Sequence, residues 1–151
     1  MITSRPTTIE DVLAILNDPS EVTESEMGSA FAGRDIEPIM RELLCIGRAD
    51  TISNDDERMF ILGHFPECGA RRTWCIMSKH TDSCGLETML AVRGAVERVL
   101  QEHPTDTFVS VSSSKHPKRD RFFAVLGFHK IGESDGFATF VLTPRAGVIA
   151  H

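Results

Sequence analysis

In the middle of this chain, near Leu86, the spacing of apolar residues changes from strand-like to helical, and this change constrains the fold more than any other feature. Two apolar runs, residues 43–52 and 58–65, flank the polar segment "SNDDE", which predicts a β-hairpin, and "RRTWCIMS" at residues 71–78 predicts a third strand. Further along, apolar residues recur at helical spacing: Leu86, Met89, Leu90, Val96, Val99 and Leu100. Antiparallel strands therefore lead into a helix that faces a core.

The segments on either side complete a mixed architecture. Thr8 is placed to cap a helix over "IEDVLAIL", and Asp35 is placed to cap the second half of a helical region that is interrupted at Gly33. After the long helix, the pattern predicts a strand over residues 105–114, a short helix, and a hairpin around "SDG". The fold class is α/β in the broad sense, of the α+β kind.

Length and composition predict one domain. A chain of 151 residues, 41% of them hydrophobic, fits a single globular unit, which we assign to residues 1–145, with residues 146–151 as a C-terminal tail. The net charge of −6 argues against nucleic acid or an anionic membrane as the partner. No apolar stretch approaches the roughly 18 residues of a membrane span, and no signal-peptide core precedes the first helix, so we expect synthesis in a cytoplasm. The four cysteines lack the close pairing of a zinc site and predict reduced thiols and no metal.

Both ends of the chain resemble one enzyme superfamily. "SRPTTIEDVLAIL" is similar to the opening strand and helix of the GCN5-related N-acetyltransferase (GNAT) fold, and "RFFAVLGFHKIGE" is similar to its closing helix, Gly-Phe turn and sixth strand. The resemblance implies a mixed, mostly antiparallel sheet flanked by helices on both faces. It also implies acetyl-CoA as the acyl donor if the chemistry is retained.

The coenzyme loop of that family falls on "KHTDSCGL", residues 79–86. The family pattern, Arg/Gln-x-x-Gly-x-Gly/Ala, places His80 at the Arg/Gln and Ser83 and Gly85 at the two small residues, so that only Gly85 matches. Asp82 would bring a negative charge to an anion-binding loop, which Lys79 could partly offset. We therefore expect Lys79, His80, Ser83 and Gly85 to form a vestigial coenzyme site.

The general acid of the family is also absent. Its tyrosine would fall on Phe123, which cannot donate a proton, and the chain contains no tyrosine. The family's asparagine on the same helix would fall near His116, a residue type that often transfers protons in enzymes. A general base could be Glu42, Glu67 or Ser112, and no spacing distinguishes among the three. We therefore expect no catalytic residues, with Phe123 and His116 at degenerate positions.

A narrower resemblance suggests a non-catalytic role for a chain with a GNAT-like fold. "EVTESEMGSAFAGRDIEPIM", "GARRTWCIMSK" and "VSSSKHPKRDRFFAVLGF" are similar to segments of GNAT-like internal virion proteins of short-tailed bacteriophages. This resemblance implies a non-catalytic virion component that binds no cofactor and docks to head, portal or tail proteins through exposed apolar residues. Phe31, Ile36, Ile39 and the tail "AGVIAH" are the candidates. The alternative is an acetyl-CoA-dependent N-acyltransferase with a degenerate coenzyme loop.

Overall fold

Seven strands and five α-helices make up the part of the chain that the computed structural model describes, residues 1–30 and 35–143. In chain order they are β1 (Ile2–Pro6), α1 (Ile9–Leu16), α2 (Glu21–Ala30), α3 (Ile36–Ile46), β2 (Arg48–Asn54), β3 (Glu57–Glu67), β4 (Ala70–Met77), α4 (Leu86–Leu100), β5 (Phe108–Ser112), α5 (Arg119–Val125), β6 (His129–Ser134) and β7 (Phe137–Leu142). A short 3₁₀ helix, Lys79–Ser83, joins β4 to α4. None of the described helices has the length and apolar composition of a membrane span.

The strands form one sheet in the order β1-β2-β3-β4-β5-β7-β6, in which β4 and β5 are the parallel pair and the other neighbours are antiparallel. One face packs against α4 and α5 through residues such as Val96 and Phe123. The other face packs against α1 and α3 through residues such as Ile15 and Met40. A mostly antiparallel sheet with helices on both faces confirms the predicted fold class.

The first helix begins as its sequence predicts. Thr8 accepts a hydrogen bond from the Asp11 N–H, and the Asp11 carboxylate accepts one from the Thr8 N–H, which completes a capping box. The same carboxylate is buried and accepts hydrogen bonds from Arg5 at 2.5 and 2.6 Å and from Arg58 at 2.7 Å. Burial opposes its ionisation, but these donors outweigh burial and hold the pKa of Asp11 far below its ordinary value. Asp11 therefore ties α1 to β1 and β3.

The closing helix ends in the turn that "LGF" predicts. Gly127 has φ +99°, a left-handed conformation that glycine adopts without strain. The Gly127 N–H donates to the Ala124 carbonyl and the Phe128 N–H donates to the Phe123 carbonyl, the two bonds of a Schellman motif. Phe128 is then buried in the core on the α4 and α5 face of the sheet.

Two boundaries differ from the sequence predictions. Residues 43–46, predicted as the start of a strand, are the last turn of α3, because Leu43 and Leu44 pack with α1 against the sheet. The predicted strand over residues 105–114 is shorter, since β5 covers only Phe108–Ser112. Gly33, the predicted interruption between helices, lies outside the described residues, as do Phe31 and the tail over residues 146–151.

Candidate functional site

The two central strands separate near the middle of the sheet. β4 and β5 pair over three residues, from Arg71 opposite Phe108 to Thr73 opposite Ser110, and no pairing continues beyond them although β4 runs on to Met77. The gap opens into a cavity of about 230 Å³, which we call the β4–β5 cleft. A cleft at the centre of a sheet, flanked by helices, is a common place for a ligand site.

Helix α2 lies across the opening of the β4–β5 cleft. The Met77 N–H donates to Thr23 Oγ1 at 2.9 Å, and the Ser20 N–H donates to the Met77 carbonyl at 2.9 Å, so the start of α2 is held by the end of β4. On the other side, the Lys115 N–H donates to Ser25 Oγ at 2.9 Å. The helix is thus anchored to both strands' C-terminal ends, and the next turn of α2 faces the cleft.

That next turn carries Glu26, which lines the β4–β5 cleft. Its carboxyl group accepts hydrogen bonds from the Ser112 hydroxyl and the Ser113 N–H, and it lies in the field of Arg119. Burial disfavours the charged form more strongly than these partners favour it, and the pKa of Glu26 rises to about 7. A carboxyl group that gains and loses a proton near neutral pH is suited to general base chemistry.

Apart from Glu26 and the Arg72 guanidinium, the polar groups of the cleft are neutral. Ser110 and Ser113 present hydroxyls, and Cys75 presents a thiol. Burial, with a smaller contribution from the negative charge of Glu26, raises the pKa of Cys75 above its ordinary value. The thiol therefore stays protonated at neutral pH and is a poor nucleophile.

Beyond β4, the predicted coenzyme loop forms the 3₁₀ helix and the start of α4. Gly85 is the N-cap residue of α4, and no side chain among the described residues caps this 15-residue helix. Its first N–H groups therefore lack a side-chain acceptor, and the positive end of the helix dipole adds to their attraction for anions. Lys79 and His80 lie on the preceding turn, and Ser83 Oγ donates to the His80 carbonyl at 3.4 Å.

The charged residues of this loop have partners that the sequence does not reveal. Asp82, expected to repel phosphate, accepts hydrogen bonds from the Glu21 N–H at 3.1 and 3.4 Å and so caps α2. Its negative charge is paired with the positive end of a second helix dipole. Lys79 pairs with Asp18 at 3.4 Å, and His80 lies 3.5 Å from Glu57.

The two degenerate positions lie where the sequence places them, on and before α5. Phe123 is buried and stacks on Phe140 with ring centroids 4.1 Å apart, so its side chain belongs to the core. His116 Nε2 lies 2.8 Å from a carboxylate oxygen of Glu21, which adds a contact between α2 and the segment after β5. Neither side chain lines the β4–β5 cleft as described.

None of the three general bases considered from the sequence lines the cleft, although Ser112 contacts it by donating a hydrogen bond to Glu26. Glu42 is exposed on α3, and Glu67 pairs with Arg72 at the end of β3. The sequence analysis missed Glu26. The spacing that could have identified it is that Glu26 follows the buried pair Val22 and Thr23 by one helical turn. This spacing puts its carboxyl group on the inward face of α2.

The serine-rich segment at the end of β5 and just beyond it is also more buried than its alternation predicts. Ser110, Ser112, Ser113 and Ser114 are all buried. The strand ends at Ser112, and the chain beyond it passes under α2, so that consecutive residues lose solvent contact. Alternation describes a strand alone and does not account for a helix that covers its end.

No protein-family model matches the sequence, and no curated protein matches it. Solved structures are similar in fold. The GNAT domain of PAT from S. lividans is 14% identical, with a TM-score of 0.68 over 93% of this chain and 89% of that one. A variant of the spermidine N-acetyltransferase SpeG from Vibrio cholerae is 12% identical, with a TM-score of 0.62 over 94% and 93%. The aminoglycoside acetyltransferase AAC(6')-Ib, in complex with coenzyme A and kanamycin, is 16% identical, with a TM-score of 0.63 over 95% of each chain.

These likenesses confirm the GNAT fold and correct the expected function. The interpretation as a non-catalytic virion protein is wrong, because the similar structures are acetyltransferases. Of the predicted exposed docking residues, Ile36 packs against the core formed with α1. The virion partners and the location in a virion remain predictions from the sequence.

Proposed function

We propose that this chain is an acetyl-CoA-dependent N-acyltransferase that acylates a primary amine. The observation that carries the proposal is the carboxyl group of Glu26, held in the β4–β5 cleft with a pKa near 7. The GNAT fold of solved acetyltransferases, among them one bound to coenzyme A, supports the same activity. Because those chains share little sequence identity with this one, the residues of the site carry the argument.

In this proposal Glu26 acts as the general base. An amine that enters the cleft is protonated in water and must lose a proton before its nitrogen can attack. Glu26 accepts that proton, the nitrogen forms a bond to the thioester carbonyl carbon, the carbon–sulfur bond breaks, and the nitrogen releases its second proton to solvent. The Ser112 hydroxyl and the Ser113 N–H hold the carboxylate in place during the transfer.

The missing tyrosine does not prevent this chemistry. Thiols of the cysteine type have a pKa of about 8.5, so a departing thiolate is only a moderately strong base and takes a proton from solvent near neutral pH. A dedicated acid accelerates such a step but is not required for it. A phenylalanine that packs in the core at position 123 is therefore compatible with turnover.

Acetyl-CoA supplies an activated acyl thioester, and the residues at the start of α4 fit its phosphates. The uncapped N–H groups of Gly85 and the first turn of α4 are the donors that would hold the pyrophosphate. Lys79, on the adjacent 3₁₀ helix, would add positive charge, and His80 lies on the same turn. The side chain of Ser83 is exposed and leaves this end of the helix accessible.

Binding of acetyl-CoA tests the first half of the proposal. Thermal unfolding with increasing acetyl-CoA should show stabilisation that grows with ligand concentration. Ser83→Asp should weaken this stabilisation, because it places a negative charge beside the phosphates. Ser134→Asp, which adds the same charge to an exposed position on the edge strand β6, is the matched control. No stabilisation at millimolar acetyl-CoA would contradict the proposal.

Turnover of Glu26→Gln tests the second half. The amide cannot accept the proton, so we expect the rate of coenzyme A release to fall by about 100-fold or more at pH 7. Binding of acetyl-CoA should stay unchanged. Glu24→Gln removes an exposed carboxylate from the same helix and controls for the lost charge. Full activity of the Glu26 variant would rule out this residue as the base.

A further inference from the structure

The lining of the β4–β5 cleft defines a class of amine, and this argument rests on the proposed function. We infer that the acceptor is a small primary monoamine carried on an apolar body, such as an arylalkylamine. Three properties of the described residues support this assignment: the apolar character of the lining, its charge and the size of the cavity.

The walls of the cleft are mainly apolar. Aliphatic and aromatic side chains from α1, α2, α3 and the three strands β4, β5 and β7 face the cavity, and those that bear on the argument are Leu16, Met27, Ile36, Trp74, Val111 and Phe137. Contact between such walls and an apolar ligand is favourable, because it removes apolar surface from water. Trp74 and Phe137 supply ring faces against which an aromatic group can pack.

The charge of the lining suits one ammonium group. Among the described residues that line the cleft, Glu26 is the only carboxylic acid and Arg72 is the only cation. A polyamine would bring a second ammonium group into a cleft whose described lining offers one carboxylate, Glu26, and also contains a cation, Arg72, whose own ion-pair partner is Glu67. Spermidine and kanamycin, the substrates or ligands of two similar acetyltransferases, each carry several amino groups. We therefore expect this chain to discriminate against both compounds.

The size of the cavity limits the body of the amine. A volume of about 230 Å³ corresponds to roughly eight groups of the size of water, at about 30 Å³ each. Benzylamine, with eight non-hydrogen atoms, matches that volume. In the reaction, the ammonium group would give one proton to Glu26, and its nitrogen would bond to the acetyl carbon. The carbon–sulfur bond would break, the nitrogen would lose its second proton to solvent, and the departing thiolate would take up a proton from solvent. The amide and free coenzyme A would then leave.

A panel of amines tests the inference directly. Release of coenzyme A from acetyl-CoA is followed with benzylamine, spermidine and kanamycin as acceptors. We expect kcat/KM for benzylamine to exceed that for either polyamine by at least about tenfold, because only benzylamine leaves no buried charge without a partner. A higher kcat/KM for spermidine or kanamycin would overturn the assigned class and leave the proposed N-acyltransferase activity standing.

A variant in the lining provides the second measurement. Phe137 lines the cleft and is 48% exposed, so Phe137→Ala should fold. Loss of its ring should raise KM for benzylamine by about two- to tenfold while kcat and the binding of acetyl-CoA stay unchanged. Ile131→Ala is the matched control, since Ile131 is 67% exposed on β6 and is absent from the described lining. An unchanged KM for the Phe137 variant would contradict the assigned orientation of the ligand.

Direct binding separates this inference from the proposed function. NMR titration of the protein with benzylamine alone should shift resonances of residues at the cleft, including the Trp74 indole, whether or not turnover is observed. Acetyl-CoA binding without any effect of benzylamine at tens of millimolar would refute the assigned amine class only. Benzylamine binding without acetyl-CoA binding would support the cleft as an amine site and refute the N-acyltransferase.

Discussion

Replacing Glu26 by glutamine should change how the stability of this protein depends on pH. The pKa of Glu26 is about 7 in the folded protein and 4.5 for an ordinary glutamate. Since its folded pKa is the higher of the two, the protonated carboxyl favours the folded state fully below about pH 4.5. This contribution is lost as the pH rises through 7, because the unfolded chain releases the proton first.

The magnitude follows from the gap between the two pKa values. One pKa unit corresponds to about 1.4 kcal/mol, so the gap corresponds to roughly 3 kcal/mol. Between pH 4 and pH 8 the free energy of unfolding of the unmodified protein should therefore fall by about 3 kcal/mol relative to that of Glu26→Gln. Any constant effect of the amide on packing cancels, because the quantity of interest is the change of this difference with pH.

Denaturant unfolding at pH 4, 6 and 8 measures the difference. About two thirds of the change should be complete by pH 6, since titration of the unfolded chain begins near 4.5. Glu24→Gln, on the exposed side of α2, subtracts the effect of one lost surface carboxylate. A difference that changes by less than about 1 kcal/mol across this range would refute the raised pKa and, with it, the main argument for Glu26 as a base.

Three further changes test the fold around the site. Asp11→Asn should lower the free energy of unfolding by about 2–3 kcal/mol in denaturant titrations, because it breaks ion pairs of a buried carboxylate with two partly exposed arginines. Gly63→Ala should destabilise by about 1–3 kcal/mol and alter Trp74 fluorescence, because the added Cβ would lie 2.0 Å from the indole. Burial and neighbouring cations lower the pKa of His64 to about 4, so stability should fall by up to about 3 kcal/mol as the pH drops from 6.5 towards 4. His64→Leu should remove that dependence, and an unchanged acid transition in this variant would contradict the buried neutral imidazole.

Much of the fold follows from patterns that are local in the sequence. Thr8 and Asp11 are three residues apart and form their capping box with each other, so four consecutive residues are enough to predict the start of α1. The "LGF" turn is equally local, since both of its hydrogen bonds join residues within five positions of each other. The hairpin around Asp135 and Gly136, both with positive φ, forms where "SDG" predicts it.

The candidate site could not be predicted in the same way. Three acidic residues lie on α2, at positions 21, 24 and 26. Helical spacing from Val22 places Glu26 on the inward face, but it reveals neither the cleft that Glu26 lines nor the pairing of Glu21 with His116. The same limit applies to Asp82, whose partner is the N-terminus of a helix about sixty residues earlier. Its sequence context alone suggested an obstacle to phosphate binding.

The sequence by itself determined the elements, the two apolar faces and the absence of a tyrosine acid, because each depends on residue type and on spacing within one segment. The tertiary structure decided the chemistry. The pKa of Glu26 arises because α2 crosses the gap between β4 and β5 and brings a carboxyl group to Ser112 and Ser113, where burial opposes its charge. Burial and electric field are properties of the space around a group, and that space is made by segments distant in the chain.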